Sequence, residues 1–295
     1  MKRIRPFRSA SLLLFAATAL LIAAPRSLPA NDSAPSAPNA PELPQAQKEV
    51  NDFLMNYYKN PEPDRIPWFL EQIDEGGAMP LPYKAISPVI GFLTEVFRSN
   101  PDRLDAWKET FLNIKGAIPR AAVCNALALT GDSAAVKLGI DCAKTFFPNA
   151  KKAIERGSAV WKPREGKMIL PNGETVFMDV CSPEELDLCW GAYFATGETA
   201  IVLPILRTAM TKEAANEIDR SAAAARWSLL AIARVDEGIR AFLKEVIKRD
   251  PEECERVFGG RLSEEEQRKF WGEVLFSPKK PDDGNGGKPS QLRSV

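Results

Sequence analysis

One pattern occurs twice in this chain, 66 residues apart, and it restricts the fold more than any other stretch. Cys124–Val136 reads Cys-Asn-Ala-Leu-Ala-Leu-Thr-Gly-Asp-Ser-Ala-Ala-Val, and Trp190–Val202 reads Trp-Gly-Ala-Tyr-Phe-Ala-Thr-Gly-Glu-Thr-Ala-Ile-Val. Apolar residues flank Thr130-Gly131-Asp132-Ser133 and Thr196-Gly197-Glu198-Thr199, so each copy is predicted to be a helix, a sharp stop and a second helix. Gly131 and Gly197 can adopt the left-handed conformation that ends a helix without a Cβ clash. Ser133 and Thr199 are expected to cap the helices that follow through their hydroxyls, with the neighbouring acids meeting the positive end of the helix dipole.

A second element recurs as a corner. Lys59-Asn60-Pro61, Asn100-Pro101 and Asp250-Pro251 each close an amphipathic segment, and Phe92–Pro101 matches Phe242–Pro251 closely along its length. In each, Asn or Asp is expected to cap the next helix and Pro to occupy its first position with φ already set. Ser87-Pro88, the capping box Ser182-Pro183-Glu184-Glu185 and Ser263-Glu264-Glu265-Glu266 mark further helix starts. Roughly ten helices joined by short turns follow from these signals. The fold class predicted is all-α, an irregular α-solenoid of stacked helical hairpins over residues 45–276. One stretch breaks the helical pattern. Lys167–Leu170, the turn Pro171-Asn172-Gly173 and Glu174–Met178 predict an inserted β-hairpin at about 165–179.

Being built from helical pairs, the chain resembles the HEAT and tetratricopeptide classes of helical repeat, without the Trp-Leu-Gly signature of the latter and without a regular period. Leu186–Gly197 and Ala225–Ala233 look like segments of secreted bacterial helical proteins. That resemblance implies a helical fold and brings no catalytic residues with it.

Charge is unevenly placed. Lys2, Arg3, Arg5, Arg8 and Arg26 precede any acid, and without those five, 34 basic side chains face 39 acidic ones. The basic start, the apolar run Leu12–Ala24 and Leu28-Pro29-Ala30 have the layout of a secretory signal peptide, with cleavage expected after Ala30. The apolar run is short for a bilayer span, so no membrane span is expected after cleavage. The mildly acidic remainder argues against a nucleic-acid surface. Residues 31–44 and 277–295 are rich in Pro, Ser, Asp and Gly and read as a disordered linker and tail.

Histidine is absent, which removes Ser-His and Cys-His nucleophile systems and histidine metal sites. Cys124, Cys142, Cys181, Cys189 and Cys254 contain no C-x-x-C, so neither zinc nor a thioredoxin-like motif is indicated. They are expected to be small buried hydrophobes. Disulfides are the alternative, between Cys124 and Cys142 if the hairpin, which sets Gly139 opposite Cys124, has a turn of slack, and between Cys181 and Cys189 if the chain turns at Ser182-Pro183. Acids such as Glu184, Glu185 and Asp187 sit in a first helical turn, where they complement the dipole. Most of the six tryptophans fall one per helical unit, as packing residues do. Trp161 instead precedes the hairpin, and with Met168, Phe177 and Met178 it forms the candidate interaction patch.

These readings point to a periplasmic or secreted protein that binds another envelope protein, with no cofactor expected. Two alternatives remain open: a small-ligand binder with an aromatic-lined pocket, and an envelope enzyme using carboxylates or a thiolate near Asp179, Cys181 and Glu185.

Overall fold

The computed structural model describes residues 44–74, 86–144, 160–170, 173–177, 181–211, 220–254 and 257–258. The chain forms two compact units, Met1–Ala225 and Arg226–Val295. The first unit opens with α1 (Gln45–Asn56), α2 (Ile66–Asp74), α3 (Ile86–Ser99), α4 (Leu104–Asn113), α5 (Ala117–Leu129) and α6 (Ser133–Lys144). A sheet follows, β1 (Val160–Lys162), β2 (Lys167–Ile169) and β3 (Thr175–Phe177), and then α7 (Pro183–Thr196), α8 (Leu203–Ala209) and α9 (Arg220–Val235). The unit boundary falls within α9. The second unit continues with α10 (Glu237–Arg249) and α11 (Pro251–Cys254). This is an all-α fold with an inserted β-hairpin, as expected. None of the described helices is long and apolar enough to cross a membrane.

In the first unit the core is organised around α3, ten of whose fourteen residues are buried. Its neighbours are α5 on one side and α7 on another, the α3–α7 contact being the broadest among the described elements. These two helices touch backbone to backbone. A Cβ added at Gly91 would lie 2.0 Å from the Leu188 carbonyl oxygen, and one at Gly191 would lie 1.9 Å from that of Pro88. Packing is therefore not serial along the chain, because α3 and α7 are separated by α4, α5, α6 and the sheet. Aromatic rings fill the space around the crossing. Phe53, Tyr57, Phe69 and Phe92 form one cluster, and Tyr58, Trp190, Tyr193 and Phe194 form another. Each such contact adds about 1 kcal/mol to what burial alone supplies.

Both Thr-Gly turns form as anticipated, with Gly131 at φ 74° and Gly197 at φ 71°. Their capping differs from expectation. Asp132, rather than Ser133, accepts the Ala135 N–H at 2.8 Å, and Thr199 makes no side-chain cap to the short 3-10 turn it begins. The threonines before the glycines do matching work. Thr130 Oγ donates to Leu127 O at 2.7 Å and accepts from Asp132 N–H at 3.2 Å, while Thr196 Oγ donates to Ala192 O at 3.0 Å and accepts from Glu198 N–H at 3.2 Å. At the Asn100-Pro101 corner, Asn100 does not cap forward but donates back to Val96 O at 2.8 Å. The capping box at Ser182 and Glu185 is complete, with bonds of 3.3 and 2.7 Å. In the second unit, Asp236 caps α10 by accepting from Ile239 N–H at 2.9 Å. The expected helix start at Ser263 lies outside the described residues, as do 1–43 and 277–295.

Candidate functional site

The sheet has the order β1-β2-β3, all antiparallel. The hairpin β2–β3 lies where the sequence placed it, and Gly173 at φ 81° closes its turn by donating to Leu170 O at 2.8 Å. The third strand, β1, was not anticipated. Trp161 pairs with Met168 and Met168 with Val176, whereas Phe177 pairs with Lys167. Side chains alternate across a strand, so Trp161 and Met168, which face each other, share one face of the sheet.

Burial corrects the candidate patch at Trp161. Trp161 has 0% exposure, so its indole is part of the core and not a contact surface. Met168 is half-buried. The Phe177 side chain and all of Met178 lie outside the described residues, as does Asp179. Among the described residues of the sheet, the exposed ones lie at the tip, Gly173, Glu174 and Thr175.

A charge network centred on one buried carboxylate holds the base of the sheet. Glu95, 1% exposed on α3, pairs with both Arg98 and Arg164. Arg98 also donates to Leu129 O at 3.0 Å, to Thr130 O at 3.4 Å and to Trp161 O at 2.8 Å. One guanidinium thereby ties the end of α5 to β1. Arg164, in the 3-10 turn after β1, grips Glu198 through two nitrogens, one at 2.8 Å, and reaches Glu95 at 3.3 Å. The two repeated turns therefore converge on one network with different parts. Asp132 is short enough to cap its own helix, while the longer Glu198 reaches out to Arg164. Burial raises the Glu95 pKa against the pull of the two arginines, whereas Arg164 lowers that of Glu198. Beside the network, Val160 packs against Gly131 and Tyr58 against Gly197, where a Cβ would meet their side chains at 2.7 and 2.4 Å. The sequence signal for this mount was the acid in the second repeated turn, Glu198, read there only as a dipole complement.

The cysteines are all free and buried in this structure, as the small-hydrophobe reading expected. Cys181 is not at an exposed helix start. Its N–H donates to Thr208 Oγ at 2.9 Å, and its side chain is 1% exposed. Most of the described tryptophans pack inward, but Trp227 on α9 is 62% exposed, and Trp271 lies outside the described residues. Among the described residues no cluster of acids and cysteines is arranged to hold a metal ion.

One carboxyl is poorly accommodated. Asp187 on α7 is pushed up to about 6 by burial and then by the Glu184 carboxylate. Its folded form therefore holds a proton that the unfolded chain releases near pH 4, and stability falls as pH rises through the window from about 4 to about 6. Asp187→Asn is expected to stabilise the fold by about 1–2 kcal/mol at pH 7 and by little at pH 4, a difference that thermal melts at the two pH values would measure.

The site is thus a small three-stranded sheet seated on a helical body by a buried Trp and two arginines. Comparison with protein-family models, with curated proteins and with solved structures finds no match for the chain.

Proposed function

We propose that this is an exported helical protein that binds a protein of the cell envelope, with the hairpin at 165–179 as its contact element. The observation that carries this reading is the contrast within the sheet. Its base is locked by Trp161, Arg98 and Arg164, while Gly173, Glu174 and Thr175 face solvent. A rigidly mounted ribbon presents polar backbone with little entropy to lose on binding, and an extended partner segment can pair with such a strand edge. Export rests on the basic and apolar N-terminal pattern before Asn31.

The test is replacement of Glu165–Asp179 by a short Gly-Ser link, after crosslinking has captured a partner of the tagged wild-type chain in its native envelope. The replacement is expected to keep the helical circular-dichroism signal and to abolish capture. Capture that persists at the wild-type level in a folded variant would refute the assignment.

A further inference from the structure

The two edges of the sheet are not equivalent. Leu170 N–H donates to Glu174 O at 2.8 Å, and these residues continue the β2–β3 register by one step. Hydrogen-bonded and non-hydrogen-bonded pairs alternate along an antiparallel ladder, so Met168 and Val176 form the next bonded pair. Thr175, opposite Ile169, and Phe177, opposite Lys167, therefore turn their N–H and C=O groups away from β2. The alternation carries across β2: Ile169 and Lys167 bond to Val160 and Lys162, and Trp161 turns its backbone outward from β1. At that edge the outward carbonyl is met, since Trp161 O accepts from Arg98 at 2.8 Å. On β3, neither Thr175 nor Phe177 has a backbone hydrogen bond to any described residue on the outer side.

We propose that the outer edge of β3 receives an extended segment of the envelope partner, which adds a strand to the sheet through the N–H and C=O groups of Thr175 and Phe177. This rests on the reading of the hairpin as the contact element, and it assigns the contact to backbone rather than to side chains. The two residues are two positions apart, so their groups repeat at about 7 Å, the period of a β-strand; a helix has no matching row of free donors and acceptors. Each exchanges both bonds with one residue of an antiparallel strand, which excludes proline from the partner positions facing Thr175 and Phe177. Main-chain bonds then supply affinity, and partner side chains alternating over the two faces supply selectivity. A second copy of this chain is the poorer occupant. Its own open edge is the three-residue strand Thr175–Phe177, and so short a pairing falls far below the roughly 1,200 Å² that a stable dimer interface buries. The mount suits strand addition, because Arg98 and Trp161 hold the far edge and β3 is presented already extended. Its shortness limits indiscriminate pairing, as it does for other edge strands.

The experiment compares Thr175→Pro with Thr175→Val in the full tagged chain, reading capture by crosslinking in the native envelope. Proline removes the outward N–H and leaves the Met168–Val176 bonds in place, as edge strands tolerate, whereas valine changes the side chain and keeps the N–H. Thr175→Pro should lower capture roughly tenfold more than Thr175→Val does, with the helical circular-dichroism signal kept in both. Equal losses in the two variants, or no loss in Thr175→Pro, would overturn the edge assignment. If replacement of Glu165–Asp179 still abolishes capture, the hairpin reading stands without it; if capture survives that replacement as well, both fall. A captured species that proves to be a second copy of this chain would overturn it too. Amide exchange on the purified wild-type chain covers the case in which Thr175→Pro does not fold. The Val176 N–H should be protected and those of Thr175 and Phe177 unprotected, and protection at the latter two would mean that the edge is already covered, which overturns the proposal.

Discussion

Gly191→Ala should destabilise the first unit by on the order of 3 kcal/mol or more, and Gly91→Ala by a similar amount. On an exposed helix the same change would stabilise by about 1 kcal/mol, because alanine has the better helix propensity. Here the added methyl would lie 1.9 Å from Pro88 O or 2.0 Å from Leu188 O, and both obstacles are backbone. Nothing flexible can give way, so α3 and α7 must move apart. That opens the packing of Phe92, Leu93, Trp190 and Tyr193, all buried at or beside the crossing. Gly139→Ala is the internal control. Its Cβ would meet Leu127 Cβ at 3.1 Å and Cys124 O at 3.2 Å, distances that a few tenths of an ångström relieve. Urea unfolding followed by circular dichroism should rank Gly139→Ala near wild type and the other two far below it. Equal effects at the three positions would mean that the helices do not cross this closely.

Arg98→Met should cost about 2–3 kcal/mol, less than stripping a buried charge of its one partner, because Arg164 still reaches Glu95. The substitution keeps much of the side chain's apolar length, so the loss is polar. Glu95 would remain 1% exposed with only Arg164 near it, and the carbonyls of Leu129, Thr130 and Trp161 would lose their donor. Adding Glu95→Gln to Arg98→Met should recover part of the loss, since the second change removes the stranded charge. Equilibrium unfolding of the two single variants and the double variant measures that coupling. Additive effects would contradict a shared network. Arg98→Met should also raise amide exchange at β1 and β2 more than in α1, because Arg98 is what ties Trp161 O to the helices.

The sequence carried the local parts of this arrangement. Thr-Gly at 130–131 and 196–197 announced two helix stops, Ser182 with Glu185 announced a helix start, and Asn172-Gly173 announced a hairpin, each because a few adjacent residues decide the backbone there. What it did not carry depends on residues far apart in the chain. The α3–α7 crossing joins Gly91 to Leu188 and Gly191 to Pro88, and its only trace in the sequence is a glycine inside each helical pattern. β1 is three residues long and is followed directly by Pro163, too short for alternation to show, and it exists because β2 pairs with it. The choice of Asp132 over Ser133 as a cap was equally invisible, since both residue types can accept the bond. Trp161 was singled out correctly as unusual but misplaced. Its loop-like surroundings suggested exposure, whereas the charge network draws its backbone into the core.

The most direct test of the account places a photocrosslinking amino acid at Thr175, on the exposed tip of the sheet, and a second at Glu109, on an exposed part of α4, in the full chain within its native envelope. One abundant adduct from Thr175 that is absent from Glu109, and that disappears when Glu165–Asp179 is replaced, is the expected result. No adduct at Thr175, or the same adducts from both positions, would contradict the assignment of the hairpin as the contact element.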